Sequence, residues 1–292
     1  YYVMAAEGGT GPDHSEVIFR GDSPMGDFKP WDKNPILTQR HLPADRPNPI
    51  TCAGHADLIQ AKEGDWWAVF LACRPIDTKF ENLGRETFIM PVHWSEDGFP
   101  YMTRGDELIP MITERKGVER NENVTFGNFE WQDDFANSTL GMEWLTLRGP
   151  ATDLYTLTDH PGYLTLTCSP VSATEKEIPA FIARRIQHHK FECVTRMQFQ
   201  PENDDQAAGV LLFKDENHQY FFSMSQSEKY HMVSLLQIGE SGNKVLAETS
   251  INEHKVIEMK VVSTGLHYEF YYAVKDGEWN LLAKDIDAEY LS

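Results

Sequence analysis

The chain has 292 residues, enough for one large or two ordinary domains with a sizeable core. Hydrophobic residues make up 41% and aromatics 12%, with 16 Pro and 20 Gly scattered along it, a composition that argues for a folded, loop-rich globular protein and against disorder. The formal charge of -19 speaks against nucleic acid or an anionic membrane as partner, since either would repel it.

Strand signals dominate from the start. Tyr1–Ala6 and Glu16–Arg20 read as a hairpin around the Gly8–Ser15 loop. Gly21–Asn48 is rich in Pro, Asp and Gly and reads as a long connecting loop. His55–Gln60 and Trp66–Ala72 flank the turn Lys62-Glu63-Gly64-Asp65, with Trp66 and Trp67 expected on opposite faces and at least one of them in the core. Thr87–Trp94 and Phe99–Met102 flank Glu96-Asp97-Gly98, where Asp-Gly favours a tight hairpin turn. No segment shows convincing helical periodicity, no clean internal repeat is visible, and no apolar run approaches the ~20 residues of a membrane span.

Residues 113–127 are charged and lack an apolar stripe, as a surface linker should. Beyond them strands are expected at Tyr163–Cys168, Phe191–Gln198, Ala208–Phe213, Tyr220–Met224, Val233–Ile238, Val256–Val262, Leu266–Val274 and Trp279–Ala283. Turns between them, among them Glu240-Ser241-Gly242-Asn243 and Lys275-Asp276-Gly277, have the spacing of a two-sheet sandwich. The cysteines Cys52, Cys73, Cys168 and Cys193 show no CxxC spacing and sit in or beside apolar runs. They are expected to be buried free thiols rather than a metal site, with a Cys168–Cys193 bridge as an alternative.

Glu7 is the residue that points to chemistry. A strand alternating Tyr2, Met4 and Ala6 on one face carries this carboxylate to its end and stops at Gly8-Gly9. That placement delivers an acid to a pocket rim, where backbone and ligand can approach closely. Aromatic and small apolar neighbours would raise its pKa, and an acid protonated near neutrality can serve as a general acid. The plainer reading is a Glu that opens a solvated loop.

Ala5-Ala6-Glu7-Gly8-Gly9-Thr10, Asp13-His14-Ser15, Asn34-Pro35-Ile36-Leu37-Thr38, Gly54-His55-Ala56-Asp57, Trp66-Trp67-Ala68-Val69-Phe70-Leu71, Arg74-Pro75-Ile76 and Gly84-Arg85-Glu86-Thr87-Phe88 follow in order. Together they resemble the C-terminal part of the catalytic domain of glycoside hydrolase family 43, nearest to its β-xylosidases and α-L-arabinofuranosidases. The second half resembles, more weakly, the sandwich that follows in many of these enzymes. The resemblance implies an all-β chain: the last blades of a five-bladed β-propeller over residues 1–112, the linker, and a concanavalin A-like β-sandwich over 128–292.

The same resemblance implies roles. Glu7 matches the acid of an inverting pair, whose carboxylates stand about 6.5–9.5 Å apart to admit a water. His55 matches a histidine near the propeller axis that contacts an ion or ordered water, against the alternative of a satisfied strand histidine. Arg85 matches a substrate-pocket arginine, against the alternative of a salt bridge with Glu86. His14 is expected to line the same pocket. Phe181, Arg184, Arg185, His188 and His189 form an aromatic-basic patch that either faces the pocket or is a solvated edge. No cofactor is required and no residue is assigned to a metal, although a Ca²⁺ near the axis is compatible with the resemblance.

In the family an Asp base and a pKa-tuning Asp both precede the Glu, whereas the six residues before Glu7 include no Asp. The chain opens on Tyr, and at Ser292 it stops where the family continues into one more strand. The expectation is a piece of a longer enzyme that carries one of three catalytic carboxylates and is inactive alone. The implied activity is release of xylose or arabinofuranose from non-reducing ends of xylo- or arabinoxylo-oligosaccharides. The alternative is a non-catalytic carbohydrate-binding or structural role. Compartment stays open, with a secreted or periplasmic location as one expectation; oligomeric state also stays open.

Overall fold

A computed structural model describes residues 1–119, 125, 127–227, 230–252, 254–275 and 277–292. The linker expected over 113–127 therefore lies partly outside the described residues, as does Asp276 of the turn Lys275-Asp276-Gly277. The fold is all-β, with one short 3-10 turn at Glu289–Leu291 among the described residues. The chain divides into two units, Tyr1–Asn123 and Val124–Ser292.

In the first unit β1 (Tyr2–Glu7) and β2 (Ser15–Arg20) form an antiparallel hairpin with Glu7 opposite Ser15 and Ala6 opposite Glu16. The turn depends on Gly8, which has φ +81° and where a Cβ would lie 2.0 Å from the Asp13 carbonyl oxygen. Any side chain there forces the loop open. Gly21–Asn48 is not simply the connecting loop that its composition suggests. It contributes β3 (Lys29–Pro30) and β4 (Leu37–Thr38), both paired with β2. Trp31, Ile36 and Leu37 from this segment are buried. Asn34 replaces a strand partner: its Oδ1 accepts from the Ile18 N–H and its amide donates to the Ile18 carbonyl, both at 2.9 Å.

Next come β5 (Thr51–Gln60), β6 (Trp66–Cys73) and β7 (Glu86–Pro91), an antiparallel meander. The strand expected over Thr87–Trp94 breaks at Val92, and β8 (His93–Trp94) pairs with β9 (Pro100–Tyr101) across the Asp-Gly turn. Ile18, Trp31, Ile36, Leu37, Phe70, Met90, Phe99 and Met102 make one core from these strands. Neither Trp66 nor Trp67 belongs to it, contrary to expectation. Both are half-buried, Trp66 edge-on to Trp94 at 5.6 Å and Trp67 donating its indole N–H to Asp65 at 2.6 Å.

The second unit opens with two small ribbons. β10 (Trp144–Thr146) pairs with β13 (Ile182–Arg184), and β11 (Tyr155–Thr156) with β12 (Thr165–Leu166). There follow β14 (Lys190–Gln198), β15 (Ala207–Asp215), β16 (His218–Ser227), β17 (Tyr230–Gly239), β18 (Gly242–Ile251), β19 (Val256–Thr264), β20 (His267–Ala273) and β21 (Asn280–Asp287). They form two four-stranded sheets, ordered β14-β19-β20-β21 and β15-β16-β17-β18. Leu212, Phe222, Met224, Val233 and Leu235 of one sheet share a core with Ile257, Met259, Val261 and Phe270 of the other. The two sheets pack face to face over this core, with alternate residues of the strands turned inward. Cys168 and Cys193 are exposed and unbridged, which overturns both the expected burial and the alternative bridge.

Candidate active site

Glu7 ends β1 with its side chain 54% exposed, and Arg40 Nη1 lies 3.5 Å from its Oε1. The apolar surroundings expected around Glu7 are thus replaced by water and a guanidinium. Arg40 follows β4, and the same Nη1 is 3.5 Å from the Asp13 carbonyl and 3.4 Å from Ser15 Oγ. Its backbone is fixed by the neighbours. The Thr38 hydroxyl donates to the His14 carbonyl at 3.1 Å, and the Gln39 amide donates to the carbonyls of Thr38 and Glu107 at 2.8 and 2.9 Å. Arg40 therefore clamps both ends of the Gly8–His14 turn beside the carboxylate. Lying in a segment that reads as loop, it gives no signal in the sequence.

Behind this turn sits a buried polar cluster. His14 is 1% exposed, its Nδ1 is 2.9 Å from the Cys52 carbonyl, and its ring packs flat on Gly54. A Cβ on Gly54 would lie 2.7 Å from His14 Nε2, so the glycine makes room for the imidazole. Glu16 is 2% exposed and its Oε2 accepts the Ala56 N–H at 3.1 Å. Burial pushes the Glu16 carboxyl above its ordinary range, against backbone donation from Ala56 and His55 and the nearby imidazoles of His55 and His14. Sequence reading missed Glu16. Four successive residues of β2, Ser15 to Ile18, are buried, so alternation gives no hint that a carboxylate points inward.

His55 is exposed, unlike its neighbours Ala53, Gly54 and Ala56, and has φ +56°. The register of β5 against β6 slips between Thr51 and Gly54 and again between Gly54 and Asp57. Such bulges re-aim side chains beside functional sites, and a histidine in the left-handed region is a strained position. Arg85 is exposed beyond Gly84, and Glu86 is held instead by Arg74 in a two-pronged ion pair at 2.8 and 2.7 Å. The alternative Arg85–Glu86 bridge is thereby replaced. The structure brings Glu7, His14, Glu16 and Arg40 together around one hairpin, with His55 beside Glu16. Among the described residues no contact joins Arg85 to this group. In the second unit the patch is engaged internally: Arg184 lies 3.8 Å over Trp131, and Phe181 packs on Phe213 at 5.8 Å.

Calcium takes 6–8 oxygen ligands. Beside His55 stands the Glu16 carboxylate, whose Oε2 already accepts an amide N–H. Among the described residues, the sole convergence of three or more His, Cys, Asp or Glu ligand atoms is Cys52, Cys73 and Glu81, and thiols are poor calcium ligands. These residues do not fit a calcium site.

Residues 1–100 match the model of glycosyl hydrolases family 43, and residues 132–292 that of the β-xylosidase C-terminal concanavalin A-like domain. A non-reducing end α-L-arabinofuranosidase of Bacteroides ovatus is 36% identical over 75% of this chain and 40% of its own length. A β-xylosidase of Bacillus subtilis is 30% identical over 100% of this chain and 56% of its own length. Among solved structures, a family 43 protein retrieved from a capybara gut metagenome superposes with a TM-score of 0.88 at 32% identity, over 100% of this chain and 55% of that one. The chain spans about half the length of the curated relatives it matches. With both halves matched and in the family's order, the chain belongs to glycoside hydrolase family 43.

Proposed function

We propose that the whole protein carrying this sequence is an inverting glycoside hydrolase that releases xylose or arabinofuranose from the non-reducing ends of xylan-derived oligosaccharides. The xylosidase and arabinofuranosidase names of the relatives support the substrate class. The observation that carries the reading is Glu7, presented by β1 at the edge of a glycine turn and clamped by Arg40. In it Glu7 protonates the departing glycosidic oxygen, with the Arg40 guanidinium 3.5 Å from its Oε1 at the same hairpin. The base that activates water is assigned to no residue of this sequence. His55 and Arg85, both exposed, contact sugar hydroxyls, and buried His14 orients the turn from behind. A guanidinium suits this task because its charge is permanent and its donors form a rigid fork.

Glu7→Gln in the whole protein should lower turnover of xylosides with poor leaving groups by about 10²–10⁴, the usual worth of a general acid. Aryl glycosides of acidic phenols leave without protonation and should lose far less. Equal loss on both substrate types removes Glu7 from the acid role.

A second reading, saccharide binding by the second unit alone, has one observation in its favour. A hollow of about 220 Å³ is lined by Trp131, Phe135, Asp133, Asp134 and Asn137, and its polar groups could hydrogen-bond sugar hydroxyls. Titrating the polypeptide 124–292 with xylo-oligosaccharides while following tryptophan fluorescence tests it, and an unchanged spectrum rules it out.

A further inference from the structure

The first unit holds a group of potential ligands that the proposed hydrolysis does not use. Cys52 lies in the β5 bulge, and its neighbour Thr51 stands opposite Cys73 at the end of β6. In a regular strand Cys52 and Thr51 would point to opposite faces. The left-handed backbone at Cys52, φ +56°, together with the bulge, brings its thiol round to that of Cys73. Both cysteines are unbridged and buried, at 3% and 1% exposure. Cys52 Sγ is 3.4 Å from Oε1 of Glu81, a half-buried residue of the segment between β6 and β7. Two sulfurs and a carboxylate oxygen therefore lie within 4.8 Å of one another.

Such a donor set is selective. Zinc binds thiolate sulfur at about 2.3 Å and carboxylate oxygen at about 2.0–2.2 Å, which for tetrahedral angles separates neighbouring ligand atoms by roughly 3.5–3.8 Å. The 3.4 Å sulfur–oxygen separation is already at that spacing, so small side-chain adjustments complete the triangle. Thiolate donors select soft or borderline metals over calcium and magnesium. The Thr51 hydroxyl, buried beside Cys52, is placed to serve as an outer-shell donor to its sulfur.

We propose that Cys52, Cys73 and Glu81 form a binding site for a thiophilic divalent cation, zinc above all, with a fourth position for water. Binding releases the thiol protons to solvent and forms two metal–sulfur bonds and one metal–oxygen bond, so affinity rises with pH. The site pins the segment around Glu81 to the β5 bulge that carries His55. This inference is independent of the catalytic reading, since none of the three ligands acts on substrate.

The test uses the 292-residue chain with Cys168→Ser and Cys193→Ser, which removes the two exposed thiols and leaves the core intact. Reduced protein is titrated with Co²⁺ alone. One equivalent should produce a thiolate-to-cobalt charge-transfer band that Zn²⁺ abolishes, and Zn²⁺ should raise the melting temperature. Glu81→Gln in that background should weaken Co²⁺ binding by at least about tenfold, the lower end of the loss seen when even an outer-shell partner is removed. Absence of the band overturns the proposal. So does a Cys52–Cys73 disulfide in freshly purified, unreduced protein that reduction does not convert to a cobalt-binding form.

Discussion

Glu16 is the residue whose surroundings most constrain the candidate site. A carboxyl pushed up by burial binds its proton more tightly in the folded than in the unfolded chain. Its contribution to stability is therefore greatest below the ordinary carboxylate range, about 4.3 for Glu, and is lost as pH rises through that value toward the raised folded one. Glu16→Gln keeps an acceptor for the Ala56 N–H and removes the charge. Urea denaturation should find the variant at least as stable as the parent at pH 7, with a flatter dependence on pH above about 4.3. A variant less stable at pH 7 than the parent would show that Glu16 is structural in its ionised form. Arg85→Ala makes the complementary prediction. It should raise KM with the fold unchanged, because Arg85 is exposed and Glu86 is already paired with Arg74. Loss of stability with KM unchanged contradicts the substrate role. Of these residues only those in short ordered motifs drew notice in the sequence: Glu7 before two glycines, His14 in Asp13-His14-Ser15, His55 after Gly54, Arg85 after Gly84. Arg40 and Glu16 did not, because one lies in a segment without periodicity and the other in a strand buried on both faces.

At the scale of elements, legibility followed burial. Hairpins with one inward face and a glycine turn, such as β5 and β6 around Gly64, could be placed from alternation and turn chemistry. Two kinds of strand could not. β3 and β4 are too short for a period of two to show, and β18 is an edge strand whose side chains, apart from Ile251, are exposed or half-buried. The segment Gly21–Asn48 reads as loop by composition and yet supplies core through Trp31, Ile36 and Leu37. Between its two short strands, Asn34 adds to the attachment to β2 by bonding both backbone groups of Ile18. Asn34→Ala leaves the buried Ile18 N–H unpaired, while the Ile18 carbonyl keeps the Trp31 N–H, and should cost about 1–3 kcal/mol, read from the midpoint of urea unfolding. A loss below about 0.5 kcal/mol, the scale of an ordinary surface change, would return the segment to the status of a loop.

At the scale of the molecule, the two units differ in how much of them the sequence explains. Regular turn spacing and alternating strands account for the second unit's sandwich on physical grounds alone. The first unit has no internal repeat, and its propeller kinship rests on family motifs and on the solved relatives. The second unit also offers the sharper stability test. Its two sheets bury their inner faces against each other, with Phe222 and Phe270 meeting edge to face at 5.5 Å. Each sheet supplies what the other needs to exclude water, so the polypeptide Val124–Ser292 should fold without the first unit and unfold in a single cooperative transition. Phe222 is fully buried, and Phe222→Ala opens a cavity between the sheets that backbone relaxation closes only in part. The variant should lose about 3–5 kcal/mol, seen as a lower denaturant midpoint with the slope unchanged. If the polypeptide instead melts without cooperativity, or Phe222→Ala costs no more than a surface substitution, the second unit does not hold a core of its own.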